Sequence, residues 1–279
     1  MKFRGVMVEK GCMKEFHNIT MMLSRLSREC VMRLTSDKIF FVVTQETLSL
    51  TQPPLVWCEL DQRAFFNEYI MTGVDDEHNE IYLSFGPAYL NHALVTLKQN
   101  VKLMNIKLAK KDQPCLSLKI EQPSISSQEI RIVRHDIPVI VIPRRIWTQY
   151  EQPVLPEPDI SIIMPSLKRV KNVLERVKTF SPYVEVEINK NGYLTITSET
   201  DMTRISVYFN NLVILDNKLT GSEEVASCQI KIKKLLLFLS AEQVQHTRAV
   251  CTIKSDLYVH ISLENQNIVN IQCYIPTVE

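Results

Sequence analysis

The sequence predicts an α+β protein of two similar domains, each made of two repeats of a strand, a helix and several further strands. Three observations support this prediction. Strand-like and helix-like segments recur in the same order four times, each helical segment is amphipathic, and a proline-rich segment separates the two halves. The length of 279 residues fits about two domains, and a hydrophobic content of 45% is sufficient for two cores.

The predicted elements follow one order in both halves. The first half has strands at 2–8, 30–35, 38–44 and 55–60 around a helix at 11–28, then strands at 80–85, 101–109, 115–121 and 130–142 around a helix at 87–98. The second half has strands at 160–164, 183–188, 193–198 and 203–209 around a helix at 166–179, then strands at 225–232, 248–254, 257–263 and 268–275 around a helix at 233–243.

A segment rich in proline joins the halves. Residues 143–158 contain four of the 13 prolines of the chain. Each proline lacks a backbone N–H and biases the residue before it toward extended geometry. We therefore predict one domain at 1–142, an extended linker at 143–158 and a second domain at 159–279.

Each predicted helix has an apolar face and a polar or basic face. In the helix at 11–28, the apolar residues share one side because their spacings of three and four residues follow the helical period. The apolar positions are Cys12, Phe16, Ile19, Leu23 and Leu26, then Leu90, Ala93, Leu94 and Leu97, then Leu167, Val170, Leu174 and Val177, and finally Leu235, Leu236 and Leu239. Burial of one aliphatic side chain contributes about 1.5–3 kcal/mol, so the basic faces are expected to point outward.

Basic charge is concentrated in the helical segments. The stretches 11–28, 86–98, 166–179 and 231–243 hold 12 basic and three acidic residues, although the whole chain has a net charge of +1. An ordinary solvated face is the simpler interpretation, but such a face usually mixes both signs, since opposite charges four residues apart stabilise a helix. The segregation therefore favours a surface that attracts a polyanion without reading base sequence.

Motifs of several enzyme and metal-site classes are absent from the sequence. The six glycines are too dispersed for a dinucleotide-binding turn, a phosphate-binding loop or a nucleophile elbow. The seven cysteines include no CxxC pair, and the six histidines form neither an HExxH motif nor a Cys/His cluster. We therefore expect no catalytic residues, no enzyme activity, no cofactor and no metal.

Two further patterns indicate the compartment. No basic segment followed by an apolar one opens the chain, and no run of 18 apolar residues occurs. The odd number of cysteines, mostly within apolar runs, is typical of free thiols in a reducing environment. A soluble intracellular protein without a membrane partner is expected.

Eight short segments, spread over the whole chain, carry a family resemblance. They are Met1-Lys2-Phe3-Arg4, Trp57-Cys58-Glu59-Leu60, Phe65-Phe66-Asn67-Glu68, Asn79-Glu80-Ile81-Tyr82-Leu83, His135-Asp136-Ile137-Pro138-Val139, Ile142-Pro143-Arg144-Arg145-Ile146-Trp147, Lys234-Leu235-Leu236-x-Phe238-Leu239 and Tyr274-Ile275-Pro276. Together they resemble the Hus-type subunit of the nine-one-one checkpoint clamp, within the sliding-clamp superfamily.

The resemblance implies a DNA-clamp fold, with helices on the inner face of a ring and sheets outside. It implies a heterotrimer with two other clamp-fold subunits, placed by a clamp loader on double-stranded DNA in the nucleus. There it would act as a scaffold for checkpoint and repair proteins. Two alternatives stay open. One is a replicative-type processivity clamp, whose family is more acidic than an isoelectric point of about 7.6 indicates. The other is a non-ring two-domain protein that binds an acidic partner.

Within this resemblance, the basic helical residues are expected to face DNA, attracting its phosphates at long range. They are Lys14, Arg25, Arg28, Lys168, Arg169, Lys171, Lys178, Lys233 and Lys234.

Two strands are implied as subunit interfaces, the last strand of domain one and the strand at 203–209. Proline in a strand indicates a sheet edge, and Pro138 lies within the apolar run 137–142. The implied interface residues are Ile132, Val133, His135, Pro138, Ile205, Val207 and Phe209. The alternative is a free edge that proline protects from pairing.

A groove for partner peptides is expected beside the linker, lined by Ile142, Trp147 and Tyr150. The alternative is that these large side chains attach the linker to domain two. The loops at 45–54 and 211–223 depart from the family, so the resemblance does not specify which repair enzymes bind.

Overall fold

The computed structural model describes residues 1–44, 55–98, 100–123, 130–152, 154–219, 224–266 and 268–278. The chain divides into two compact units, one of Met1–Gln152 with Asn267–Val269 and one of Pro153–Gln266 with Asn270–Glu279. The division falls within the predicted linker at 143–158. The divergent loop at 45–54 lies outside the described residues, and the loop at 211–223 is described as far as residue 219.

The first unit is a helix-backed antiparallel sheet. Its helices are α1 (Lys10–Leu26), α2 (Gln62–Phe65) and α3 (Pro87–Leu94), and a 3-10 helix at Val95–Lys98 continues α3. Its strands are β1 (Lys2–Met7), β2 (Cys30–Leu34), β3 (Lys38–Val43), β4 (Val56–Asp61), β5 (Glu68–Thr72), β6 (Ile81–Phe85), β7 (Leu103–Lys110), β8 (Pro114–Pro123) and β9 (Ile130–Val141). The sheet order is β5-β1-β7-β8-β9-β6-β2-β3-β4.

The core of the first unit forms where α1 packs on the sheet and beside α3. The Phe16 ring centroid lies 6.1 Å from that of Phe41 on β3 and 6.4 Å from that of Phe66. Because α1 is covered from two directions, its buried surface is wider than the predicted apolar stripe. Met13 and Met22 are buried as well, whereas the predicted core residues Cys12 and Leu26 are only half-buried.

The second unit contains two antiparallel sheets and two α-helices among its described residues. The helices are α4 (Leu167–Val177) and α5 (Ile232–Leu239), the latter continued by a 3-10 helix at Ser240–Gln243. The strands are β10 (Ile160–Ile163), β11 (Tyr183–Asn189), β12 (Leu194–Thr200), β13 (Thr203–Phe209), β14 (Ile214–Asn217), β15 (Val225–Lys231), β16 (Arg248–Lys254), β17 (Tyr258–Asn265) and β18 (Val269–Pro276). The sheet orders are β14-β10-β16-β17-β18 and β13-β12-β11-β15.

The helices α4 and α5 pack side by side in the second unit. The predicted apolar face of α4 is confirmed, since Leu167, Val170, Leu174 and Val177 are all buried. The prediction for α5 was partly wrong, because Leu236 is only half-buried. Ile232 and Phe238 are buried instead, together with Leu235 and Leu239. The run Ile232–Leu239 is so rich in apolar residues that the sequence pattern marks its core face weakly.

The two units share one strand-pairing scheme. In the first, β1 pairs with β5 on one side and β7 on the other. In the second, β10 pairs in the same way with β14 and β16. The four predicted repeats are thus confirmed in their order, while β5, β14 and the short α2 were missed. These elements have only four or five residues, too few for a clear period.

The beginning of the predicted linker is helical rather than extended. Arg144–Tyr150 form a 3-10 helix directly after Pro143, whose backbone is extended. Proline fixes its own φ near the helical value and needs no hydrogen-bond partner for its nitrogen, so it can precede a helical turn. The proline content therefore predicted the position of the linker but not the conformation of its first half.

Candidate nucleic-acid interface

The candidate DNA-facing residues lie on or beside three of the helices. Seven of them are exposed, namely Lys14, Arg25, Arg28, Lys168, Arg169, Lys178 and Lys233. Lys171 and Lys234 are half-buried. The amphipathic pattern thus predicted the outward direction of the basic side chains, and exposure alone does not assign them to DNA.

The ion pairs of the described residues do not involve the seven exposed basic residues. Carboxylates pair mostly with strand and loop cations, as in the contacts Arg33–Glu80 at 2.8 Å and Lys38–Glu59 at 2.6 Å. Within the described part of the chain, the seven exposed basic residues form no ion pair. Their charges are therefore directed to solvent or to a ligand.

The one acidic residue of α1 is withdrawn from the surface. The side chain of Glu15 is buried, and the Asn18 amide approaches its carboxylate at 3.4 Å. The outward face of α1 consequently carries Lys14 and Arg25 without an acidic neighbour on that helix. Among the exposed side chains of α1, the basic excess is therefore larger than the count over the whole helix indicates.

Several of the basic residues lie at helix positions where a positive charge is unfavourable. Lys168 and Arg169 lie in the first turn of α4, and Lys233 and Lys234 lie in the first turn of α5. The helix dipole places partial positive charge at this end, so each cation there costs roughly 0.3–1 kcal/mol. Neither helix has an acidic residue in its first turn. This arrangement does not serve helix stability.

Two strand edges are open for pairing. In β9, residues Ile130–Pro138 pair with β8, whereas the opposite edge pairs with β6 only at Val139–Val141. In the second unit, β13 lies at the end of its sheet and pairs with β12. Among the described strands of each unit, both edges therefore present unpaired backbone groups.

Apolar side chains continue the core to these edges. The register places Val133 and His135 on the side of β8 that carries the buried Ile120 and Leu118, and both are half-buried. On β13, the half-buried residues Ile205, Val207 and Phe209 lie opposite Ser198 and the buried apolar pair Ile196 and Leu194.

Polar and exposed groups mark the β9 edge further. The His135 Nε2 atom is buried and has no hydrogen-bond partner among the described residues. Such an atom is costly unless another molecule satisfies it. Ile132 points to the opposite side of the sheet and is 47% exposed, and Pro138 is exposed opposite Cys115.

The predicted groove residues are mostly buried. Trp147 packs on the first unit, where its indole stacks on Tyr82 with ring centroids 4.5 Å apart and its Nε1 donates to the Ile142 carbonyl at 3.0 Å. The side chain of Ile142 is also buried. Of the three predicted residues, Tyr150 alone is half-buried, and burial raises its phenol pKa. Trp147 therefore attaches the linker to the first unit, not to the second as the alternative supposed.

A pocket of about 330 Å³ opens beside this attachment. Its lining includes Arg33, His78, Glu80, Tyr82, Trp147 and Glu151. Arg33 donates to both carboxylate oxygens of Glu80, at 2.9 and 2.8 Å, so these opposite charges neutralise one another. The pocket is thus a polar recess at the start of the linker.

Three further features of the described residues concern metal-ligand clusters, two buried thiols and helix length. No group of three or more His, Cys, Asp or Glu side chains within them could hold a metal ion. Burial raises the pKa of the Cys228 thiol to about 11 and that of Cys251 to about 12, so both are protonated at neutral pH. In the same part of the chain, no helix combines the length and apolar character needed to cross a bilayer.

Comparison with known proteins identifies relatives over the full length. The Hus1-like protein family matches residues 1–279. Checkpoint protein HUS1 of Homo sapiens is 38% identical over 284 residues, covering 100% of both chains. Checkpoint protein Hus1-like of Drosophila melanogaster is 30% identical over 279 residues, covering 100% of this chain and 99% of the relative.

Solved structures give the fold. PCNA from Thermococcus kodakaraensis superposes with a TM-score of 0.70 at 15% identity, covering 98% of this chain and 99% of that one. Proliferating Cellular Nuclear Antigen from Entamoeba histolytica superposes with a TM-score of 0.72 at 12% identity, covering 99% of each. The predicted clamp fold is therefore confirmed, and the chain belongs to the Hus1-like protein family.

Proposed function

We propose that this chain is a subunit of a heterotrimeric clamp that encircles double-stranded DNA and acts as a nuclear scaffold in DNA damage checkpoint signalling and repair. The observation that carries the proposal is the full-length similarity to checkpoint protein HUS1 of Homo sapiens, at 38% identity. The protein is proposed to recruit other proteins rather than to catalyse a reaction.

The basic helices would attract DNA through its phosphates. Each exposed cation lowers the free energy of a nearby phosphate and releases a counterion, and this attraction is independent of base sequence. Lysine and arginine side chains at the ends of flexible stems suit a surface along which DNA slides. The unfavourable placement of Lys168 and Arg169 at the start of α4 supports this role.

The open edges would bind the two other clamp-fold subunits. An exposed strand pairs readily with another strand, and its backbone groups provide affinity while its side chains provide specificity. The half-buried apolar residues of β9 and β13 would then become fully buried. The unpartnered His135 Nε2 atom would gain a hydrogen-bond partner from the neighbouring subunit.

Checkpoint and repair proteins would bind away from the basic helices. Tyr150 is the remaining predicted groove residue with exposed surface, and the recess lined by Arg33 and Glu151 adjoins the same segment. A clamp loader would open the ring and close it around DNA. We propose that short segments of these partner proteins bind in a groove beside the linker, at Tyr150. The buried side chains of Ile142 and Trp147 would form the base of this groove.

Mass spectrometry of the native complex, purified through a tag on this chain, tests the proposal. We expect one copy of this chain with one copy each of two different proteins of clamp fold. Three copies of this chain alone would favour the replicative-type clamp. Recovery with an acidic protein of another fold would favour the non-ring alternative and contradict the heterotrimer.

A further inference from the structure

An exposed aromatic ring lies in the first turn of α3. The side chain of Tyr89 is 65% exposed. The core face of α3 consists of Leu90, Ala93 and Leu94, so Tyr89 contributes little to that core. The helical period places Tyr89 off the apolar face and gives no further reason for a large aromatic side chain at this position.

Gly86 provides the space in which this ring lies. Gly86 has φ −82° and ψ 111°, a conformation open to any residue, and it occupies the N-cap of α3, where Gly is accepted about as well as Thr and less well than Ser, Asn or Asp. A Cβ atom there would stand 2.9 Å from Cδ2 and 3.1 Å from Cε2 of Tyr89. The Tyr89 ring therefore occupies the space that a side chain at position 86 would need. One side of the Tyr89 ring lies against the Gly86 backbone, and the rest of the ring is exposed to solvent.

The backbone of Arg28, two residues beyond the end of α1, lies beside Gly86 and this ring. The Gly86 position beside the Tyr89 ring also lies 3.6 Å from the Arg28 carbonyl oxygen, so Tyr89 and Arg28 flank one point. Arg28 and Arg25 are exposed and form no ion pair within the described chain. The adjacent acid, Glu29, accepts a hydrogen bond from the Ser84 hydroxyl at 2.5 Å.

We propose that Tyr89 is a stacking platform for an unpaired base, so that this surface binds single-stranded DNA as well as duplex. A duplex hides the faces of its bases and offers only phosphates to the arginines. An unpaired strand offers a base for the ring and phosphates for Arg25 and Arg28, the combination used by single-strand binding sites. The inference rests on the proposed DNA-facing role of the helices and adds that they bind single-stranded as well as double-stranded DNA.

Anisotropy titrations of the purified complex with a labelled 20-nucleotide oligothymidine and a blunt 20-base-pair duplex test the inference. Tyr89→Ala should weaken single-strand binding by about 5- to 100-fold and change duplex binding less than about twofold, because stacking involves unpaired bases. Tyr193→Ala is the matched control, since Tyr193 is 41% exposed and lies just before β12, outside the basic helices. It should change neither affinity.

Gly86→Ser separates the effect of the Tyr89 ring position from any effect on the stability of the fold. Serine is a favoured N-cap residue, so the melting temperature should stay equal or rise, while its Cβ displaces the Tyr89 ring and single-strand affinity falls. An unchanged ratio of single-strand to duplex affinity in Tyr89→Ala would overturn the inference.

Lys168→Glu with Arg169→Glu separates the DNA-facing role of the helices from the stacking role of Tyr89. Loss of both affinities there, with no effect of Tyr89→Ala, would leave the DNA-facing role intact and remove only the stacking role. Unchanged affinities in every variant would refute the DNA-facing role itself.

Discussion

The indole of Trp147 stacks on the phenol ring of Tyr82, with centroids 4.5 Å apart and planes 22° apart. This contact joins the 3-10 helix at Arg144–Tyr150 to strand β6 of the first unit. Trp147→Ala should therefore lower the stability of that unit by about 3 kcal/mol, measured by urea denaturation. Trp147→Phe keeps the stacked ring and removes the donor to the Ile142 carbonyl, so its cost should be about 1 kcal/mol. Equal, negligible effects of both changes would show that the stack does not hold the linker.

Charge reversal at α4 should weaken DNA binding without unfolding the helix. Glutamate in place of Lys168 and Arg169 suits the positive end of the helix dipole, so thermal stability should not fall. The slope of log affinity against log salt should flatten by about 0.9 for each phosphate that the variant no longer neutralises, or roughly one to two units.

The matched control for this reversal is Lys107→Glu with Lys110→Glu. Both lysines are exposed on β7 and form no ion pair in the described chain, whereas their neighbour Lys111 pairs with Asp136 at 2.5 Å. The control should leave the salt slope unchanged. Equally weakened DNA binding in the two double variants would show that the basic helices are not the specific surface.

A charge at the open edge of β9 should block assembly. Ile132→Lys places a charge on a side chain that is 47% exposed and faces away from the core, so folding should be unaffected. Size-exclusion chromatography should show that at least one partner no longer co-elutes.

The control is Ile140→Lys on the same strand, where the side chain is 69% exposed but β9 also pairs with β6. Normal assembly of both variants would contradict the edge assignment. Ile205 and Val207 suit this test less well, since they share the core side of β13.

His260 should make the second unit less stable in mild acid. Burial lowers its pKa to about 4, partly offset by a hydrogen bond with Gln272, and its ring stacks on Tyr274 at 4.6 Å. The unfolded chain takes up a proton near the ordinary value of about 6.5, whereas the folded chain does not until about pH 4. Stability should thus fall by about 1–3 kcal/mol as pH drops through this window.

His260→Phe keeps a stacked ring and should reduce this loss of stability, measured by urea denaturation at pH 7 and pH 5. An identical decline in both proteins would assign it to other groups.

The features that could be predicted from the sequence are those that depend on long periodic segments. The apolar face of α4 follows from four residues at helical spacing, and the repeat order follows from segments of five or more residues. The burial of Glu15 and the added core residues of α1 could not be predicted, because such burial depends on tertiary packing between elements distant in sequence, as between α1 and α3. The position of Trp147 likewise depends on Tyr82, which lies 65 positions earlier in the chain.

Retention on circular and linear DNA tests the central claim most directly. The purified complex is placed by a clamp loader on a nicked circular plasmid, washed at high salt, and measured again after one restriction cut. A closed ring held by topology should stay on the circle at a salt concentration that abolishes phosphate attraction, and it should leave by sliding off the ends after linearisation. Equal retention before and after the cut, or release from the circle by salt alone, would contradict encirclement.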